Sequence, residues 1–170
     1  MCDNYNKLMS KDKLPGDYIA GFIDGEGCFY LTYRSEVRHE RIGKPKYYRW
    51  TPYFAINIRG DDREILEKIK NTFNCGNIYM LKGGELAQYI IQNIDDLYTK
   101  ILPFFIKYPL RAKKSYDFKL WADALKISYT NKKNKRKCSP ADHQNLFNIR
   151  QAMRNYKSKM IRGYRNSPNL

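Results

Sequence analysis

Tyr18-Ile19-Ala20-Gly21-Phe22-Ile23-Asp24-Gly25-Glu26-Gly27 is an apolar helical stretch that ends on two acids separated by a glycine. A helix gathers partial negative charge at its C-terminal end, which disfavours carboxylates there by roughly 0.3–1 kcal/mol each. Asp24 and Glu26 therefore break a local rule, and such conflicts mark functional sites. Gly21 and Gly25 fall on one helical face, where two bare backbones can approach closely. If the approaching helix is the same segment of another copy, a two-fold axis brings two Glu26 carboxylates together, and like charges that close need a cation. Carboxylates with few soft ligands nearby suit Mg²⁺, a hard ion that prefers oxygen and keeps some of its waters. The same residues also describe an ordinary amphipathic helix stopped by glycines, with acids that merely face water.

Charge points the same way from a different direction. The 170 residues suffice for one domain with a single core. Thirty-two Lys and Arg against seventeen Asp and Glu give a formal net charge of +15, which favours polyanions without separating DNA from RNA. Fifteen Tyr and 42% apolar residues argue for a folded chain rather than a disordered one. Cys2, Cys28, Cys75 and Cys138 show no C-x-x-C spacing, so neither a zinc finger nor a disulfide framework is supported. The N-terminus is polar and the apolar run Ile101 to Ile106 is interrupted by Pro103, so no signal peptide and no membrane partner are expected.

Beyond the first helix, Cys28 to Tyr33 and Tyr53 to Ile58 read as strands. Between them lies a basic connection with Arg34, Arg38, Arg41, Lys44, Lys46 and Arg49, interleaved with Tyr47, Tyr48 and Trp50. A two-stranded ribbon of this composition fits the major groove of DNA, where Arg reads guanine edges and Lys or Arg holds phosphates. Asp61-Asp62-Arg63-Glu64 predicts a capped helix start, with Ile65, Leu66, Ile69 and Phe73 at helical spacing behind it. Asn77 to Leu81 and Leu86 to Ile91 flank Gly83-Gly84 as a second hairpin, with Lys82 at its turn. Asp95 or Asp96 starts another helix, broken by Pro103 and Pro109, and Ala112 to Lys126 resumes helical spacing. Ser128 to about 138 reads as a basic linker, with Lys132, Lys133, Lys135 and Arg136 placed to lie along phosphates. Ser139-Pro140-Ala141-Asp142 starts a last helix, about 139–157, packed through Leu146, Phe147, Ile149 and Met153. His39 and His143 stand singly and read as DNA-face or surface residues. The order is α-β-β-α-β-β-α with a C-terminal helix, an α+β fold whose core spans about 14–127.

Ile19 to Gly27 closely resembles the nine-residue signature of LAGLIDADG homing endonucleases, with Ile19 for the first Leu, Phe22 for the second, Gly25 for the second Ala and Glu26 for the second Asp. The resemblance covers roughly Leu14 to Trp121, with motif-level identity in the first helix alone. It implies a saddle with one four-stranded antiparallel sheet per subunit, and, since the motif does not recur after Lys82, a single-motif enzyme acting as a homodimer. It also implies that Glu26 is catalytic and a metal ligand, that the Gly25 carbonyl faces the metal, and that Ala20, Gly21, Asp24 and Gly25 form the dimer interface. Family members carry a Pro-Leu closely followed by an active-site lysine; here Pro109-Leu110 precede Lys113 and Lys114, of which Lys114 is the first choice. Where relatives place a glutamine late in the second strand, this chain reads Asn57-Ile58-Arg59-Gly60, so either Asn57 or Arg59, both expected among the DNA-contacting residues, takes that place or the site has a different polar shell.

The activity implied is metal-dependent double-strand cleavage of a long, pseudo-palindromic DNA site, with short 3′ overhangs. Mg²⁺ or Mn²⁺ would support cutting and Ca²⁺ binding alone. Two rival readings use the same fold without cleavage: an intron maturase whose partner is RNA, and a DNA-binding regulator. Abundant Lys, Asn, Ile and Tyr fit an AT-rich genome, hence a mitochondrion, a chloroplast or a bacterial cytoplasm.

Overall fold

In the computed structural model, residues 13–37, 42–44 and 46–165 are described, with side chains through Asn155. Helix α1 (Gly16–Glu26) starts behind Pro15 and buries Ile19, Ala20 and Ile23. It runs without a loop into strand β1 (Gly27–Val37), because Gly27 leaves the helix in an extended conformation. A Cβ at Gly27 would stand 2.5 Å from Ile23 Cγ2 and 2.9 Å from the Ile23 carbonyl oxygen, so the abrupt turn depends on that bare backbone.

Strand β2 (Lys46–Arg59) returns antiparallel to β1, and β3 (Asn77–Leu81) and β4 (Leu86–Ile91) form the second hairpin. The four strands lie in the order β1-β2-β4-β3, with β2 and β4 antiparallel at the centre. The second hairpin has the expected bounds. The first is far longer than expected: Arg34, Lys46, Tyr47 and Arg49 belong to the ladder, with Arg34 opposite Arg49 and Val37 opposite Lys46. Strand-favouring residues, Tyr33 and Val37 on β1 and Tyr47, Tyr48, Trp50 and Thr51 on β2, kept the ladder going where charge had suggested a loop. Arg38, His39 and Arg41 lie outside the described residues.

Period two sorts the strands into faces. Phe29, Leu31, Trp50, Phe54, Ile56, Ile58, Ala87, Tyr89 and Ile91 are buried on the helix side. Tyr30, Thr32 and Arg34 of β1 register with Tyr53, Thr51 and Arg49 of β2 on the opposite, open side.

Helix α2 (Arg63–Phe73) buries Leu66, Ile69 and Phe73, after a 3₁₀ turn at Gly60–Asp62. The capping box expected at its start is not made: Asp62 forms no side-chain cap, and Asp61 is taken up by Arg59. Gly76, at φ +80°, turns the chain into β3 where a Cβ would meet the Tyr89 ring at 2.7 Å.

The next helix, α3 (94–107), passes through Pro103 rather than breaking there. A π-helical segment, Leu97–Ile101, widens the turn just ahead of the proline, and the Leu102 N–H reaches back to the Leu97 carbonyl. A wide turn of this kind absorbs the N–H that proline lacks and relieves its clash with the preceding turn.

Helix α4 (Lys114–Lys133) is longer than its sequence spacing suggested, so Ser128 to Lys133, expected as linker, are helical and Ser128 and Asn131 are buried. Helix α5 (Pro140–Arg165) is capped as expected: the Asp142 N–H donates to Ser139 Oγ at 3.1 Å and the Ser139 N–H to Asp142 Oδ2 at 3.3 Å. Leu146 and Met153 are buried on it, whereas Phe147 is 43% exposed.

Phe29 centres the core, with Trp121, Phe118, Phe54 and Phe105 ring centroids at 5.1, 5.4, 5.4 and 5.6 Å. This aromatic packing fixes the end of α1 against α3 and α4. Among the described residues no helix is long and apolar enough to cross a membrane.

Candidate active site and nucleic-acid interface

The oddity of two acids closing α1 is resolved by what faces them. Asp24 Oδ2 accepts the Arg111 N–H at 2.7 Å and the Ala112 N–H at 3.1 Å, immediately ahead of α4. A carboxylate disfavoured at the end of one helix is favoured before the start of another, where backbone N–H groups lack partners. The exchange is reciprocal. The Lys114 ammonium, from the first turn of α4, donates to the Asp24 carbonyl at 3.0 Å and to the Gly25 carbonyl at 2.6 Å, capping the end of α1 with positive charge. Asp24 is thus an intrachain brace, and its other oxygen, Oδ1, is buried without a hydrogen-bond partner. Lys114 reaches the predicted position at the end of the motif helix, while Lys113 is exposed with no hydrogen bond to those carbonyls.

Glu26 is exposed and takes part in none of these bonds. It lines a cavity of about 390 Å³ with Tyr18, Phe22, Ile58, Arg59 and Asp62. Arg59 therefore shares a cavity with Glu26. Asn57, its competitor for the place of the family's glutamine, instead accepts a hydrogen bond from Gln88 Nε2 at 2.7 Å across the open face of the sheet. Arg59 is held by Asp61, with Nη2 2.6 Å from Oδ2, in a pair exposed enough to open at little cost.

No group of three or more His, Cys, Asp or Glu able to hold a metal occurs among the described residues. What the described residues offer at the motif is the exposed Glu26 carboxylate, next in sequence to the Gly25 carbonyl. This all-oxygen donor set fits a hard divalent ion whose remaining ligands are water and phosphate. The Gly25 carbonyl, expected to face the metal, carries the Lys114 ammonium; a carbonyl has a second lone pair to offer.

Of the other expected interface residues, Ala20 is 5% exposed and packs into its own chain's core. Gly21 and Gly25 are open: a Cβ on either would meet nothing within 4 Å.

The basic residues divide by the strand parity that charge counting could not see. On the open face, Tyr30 and Tyr53 stack at 4.5 Å, and Arg34 lies 5.2 Å above the Tyr53 ring. Burial, above all, pushes the Tyr30 hydroxyl upward, so it stays a neutral donor. Arg49 pairs with Glu36 at 2.7 Å, and the Tyr47 hydroxyl donates to the same carboxylate. The Tyr47 bond first, and Arg49 with it, hold Glu36 below the usual carboxylate range, so part of the Arg49 charge is already neutralised.

Lys46 registers with Val37 on the helix side, not with the open face as expected. Lys44 and Lys82 are exposed at positive φ in the two hairpin turns. Lys132 ties α4 to Asp95 of α3, and Arg136 braces the α4–α5 connection through Asn131 and Asp142, so neither stands free for phosphate. Lys133 and Lys135 remain exposed.

His143 is not a lone surface residue: its Nδ1 accepts the Trp50 indole N–H at 3.1 Å. Gln88 escaped the sequence reading, and Asp61, read there as part of a helix cap, is instead the partner of Arg59. Gln88 left one signal, a polar residue on the face of β4 otherwise given to Leu86 and Ile90; the use of backbone N–H groups at Arg111 and Ala112 left none.

The profile of the LAGLIDADG endonuclease family matches residues 19–125. A probable intron-encoded DNA endonuclease 1 of Mycosarcoma maydis is 30% identical over 96 residues, covering 56% of this chain and 32% of that protein. The chain spans about a third or less of the curated relatives of this kind. Among solved structures, the homing endonuclease I-TnaI superposes with a TM-score of 0.66 at 22% identity, over 86% of this chain and 98% of its own. I-SmaMI bound to an uncleaved DNA target in the presence of calcium ions gives 0.69 at 23% identity, over 82% of this chain and 45% of its own. At these identities the likeness is one of fold.

Proposed function

This chain belongs to the LAGLIDADG endonuclease family, and on that premise we propose that it is a homodimeric, divalent-metal-dependent endonuclease cutting both strands of a long, pseudo-palindromic DNA site. The observation that carries the reading is the free Glu26 carboxylate, set beside an open glycine face and next to carbonyls already held by the Lys114 ammonium. Pairing of the Gly21–Gly25 faces brings Glu26 of each copy towards the symmetry axis, where one chain's incomplete donor set is made up by the other and by DNA phosphate.

Glu26 and the Gly25 carbonyl would hold Mg²⁺, which would supply a bound water of lowered pKa and positive charge against the phosphate. Lys114 is held by two carbonyls at the junction, so its ammonium is pre-oriented to offset charge building on the scissile phosphate, with no reorganisation at the moment of reaction. Arg59, released from Asp61, has in the Glu26 cavity a second position from which to bind phosphate oxygens. The open face carries the readout: Arg34 with the Tyr30–Tyr53 stack, the Asn57–Gln88 amide pair and the hairpin-turn lysines Lys44 and Lys82 present a mixture of donors, acceptors and apolar surface to base edges and phosphates. The net charge of +15 per chain draws the polyanion in.

Cleavage selection on a randomised plasmid library with Mg²⁺, run beside Glu26→Gln and with Ca²⁺ as the binding-only ion, tests the reading. Defined double-strand cuts that disappear in the variant support it. Tight duplex binding by the unmutated protein without cutting in Mg²⁺ or Mn²⁺ overturns it in favour of a splicing cofactor or a regulator.

A further inference from the structure

A second cavity, about 830 Å³, lies away from Glu26 and is lined by Tyr33, Tyr48 and Trp50 of the β1–β2 ladder and by Lys137, His143 and Leu146 at the α4–α5 connection. Its volume is within the roughly 300–1,000 Å³ usual for sites that take a small organic group. Tyr33 and Tyr48 stack at 5.5 Å with their planes 21° apart, and the Trp50 ring lies 4.9 Å from Tyr33. His143 meets Tyr33 edge-on at 5.1 Å. By accepting the Trp50 N–H on Nδ1, the neutral imidazole keeps its proton on Nε2 and has a donor to give.

These rings are not core. Tyr48 is 61% exposed and Tyr33 39%, so the flat surface is assembled and then left open. Arg49 and Lys137 bring positive charge to the same lining. By strand parity Tyr33, Tyr48 and Trp50 occupy the helix side of the sheet, opposite Tyr30, Tyr53 and Asn57, while Arg49, paired with Glu36, reaches the lining from the open side; a duplex on the open face therefore does not stack on these three rings.

Aromatic faces flanked by cations are the surface on which single-stranded nucleic acid binds: any base can stack on the rings, and the adjoining phosphates meet the basic side chains. Bases in a duplex have both faces covered and cannot use such a site. We infer that this cavity binds an unpaired nucleotide of a single strand, its base stacked on the Tyr33–Tyr48 surface and its phosphate against Lys137. The site is separate from the proposed cleavage centre and goes beyond it.

The test measures affinities of the full chain, without divalent ions, for a short mixed-sequence oligoribonucleotide, its deoxy counterpart and a duplex of the same sequence, using labelled strands and fluorescence anisotropy. Tyr48→Ala, at an exposed ring, is expected to weaken single-strand binding roughly 5- to 100-fold while leaving duplex affinity and melting temperature unchanged. Tyr48→Phe keeps the stacking surface and is expected to bind as the unmutated protein does. Tighter binding of the ribo- or the deoxy-strand identifies which kind of strand supplies the nucleotide, and either preference supports the site. The inference is overturned if neither strand binds, if Tyr48→Ala binds both undiminished, or if duplex affinity falls in step. Because no cutting is read, failure of the endonuclease reading leaves these outcomes unaffected.

Discussion

Replacing Asp24 with alanine removes one half of the brace between the motif helix and α4. Two charge-assisted hydrogen bonds go, from Arg111 and Ala112 at 2.7 and 3.1 Å. Each bond of this type contributes about 1.5–3 kcal/mol. Against that loss stands a gain. The second carboxylate oxygen is buried with no partner, and removing such an orphan returns about 1–3 kcal/mol. The losses outweigh the gain at central values, leaving a net destabilisation of about 2–3 kcal/mol. For a domain of this size each kcal/mol shifts the melting temperature by roughly 2–4 °C, so a fall of about 4–12 °C is expected by calorimetry.

The brace also has a specific signature. Lys114→Met removes the other half, the bonds to the Asp24 and Gly25 carbonyls. Since each half fixes the helix end that the other uses, the double variant should lose less than the sum of the two, with a coupling of at least 0.5 kcal/mol. A melting temperature within about 1 °C of the unmutated protein, or strict additivity, would refute the reciprocal brace.

Gly21→Leu introduces a side chain where nothing lies within 4 Å in the single chain, so the fold and its circular dichroism should be unchanged while the homodimer dissociates in sedimentation velocity runs. A variant that remains dimeric would remove the glycine face from the proposed interface. Asp142 is held below its ordinary value of 3.8 by the Ser139 hydroxyl first, then by Asn131, the Ser139 backbone N–H and Arg136. A depressed carboxyl stabilises the fold above its unfolded-state pKa, and that stabilisation is lost as pH falls through the lower folded-state value. Asp142→Asn should therefore weaken the start of α5 at neutral pH and flatten the acid limb of the stability curve below about pH 4, as followed by thermal melts across that range; an unchanged acid limb would contradict the assignment.

The sequence showed the elements whose patterning is local and hid those decided across the chain. Period-two alternation and a Gly-Gly turn placed the second hairpin at its observed bounds, and the Ser139 cap made its two bonds as written. The first hairpin was cut short because a run of arginines and lysines looks like solvent-exposed loop, although such residues sit comfortably on one face of a ladder. Pro103 was read as a stop since the compensating π-turn depends on Leu97 and Ile101 being buried against the core, which no local rule records.

In the candidate site, the motif singled out Glu26 and Gly25, and the Pro-Leu spacing pointed to Lys114, which the fold brings to the end of the motif helix. The function of Asp24 was not legible, because its partners are backbone groups almost ninety positions away. Nor was the sorting of cations. Lys132, Arg136 and Arg49 counted as free charges until Asp95, Asp142 and Glu36 were seen beside them.

The brace at the end of the motif helix also restricts how this protein can change over generations. Each half spends the side chain of one helix on the main chain of the other, so the side chains at Arg111 and Ala112 contribute nothing to it and those positions can drift. Positions 24 and 114 have no such freedom: a loss at either leaves its counterpart pinning a helix end that is no longer held in return. Lineages should therefore keep the Asp and Lys together or lose both in close succession, whereas residues on the open face of the sheet can be exchanged to follow a changing DNA target without disturbing the junction that holds Glu26 in place.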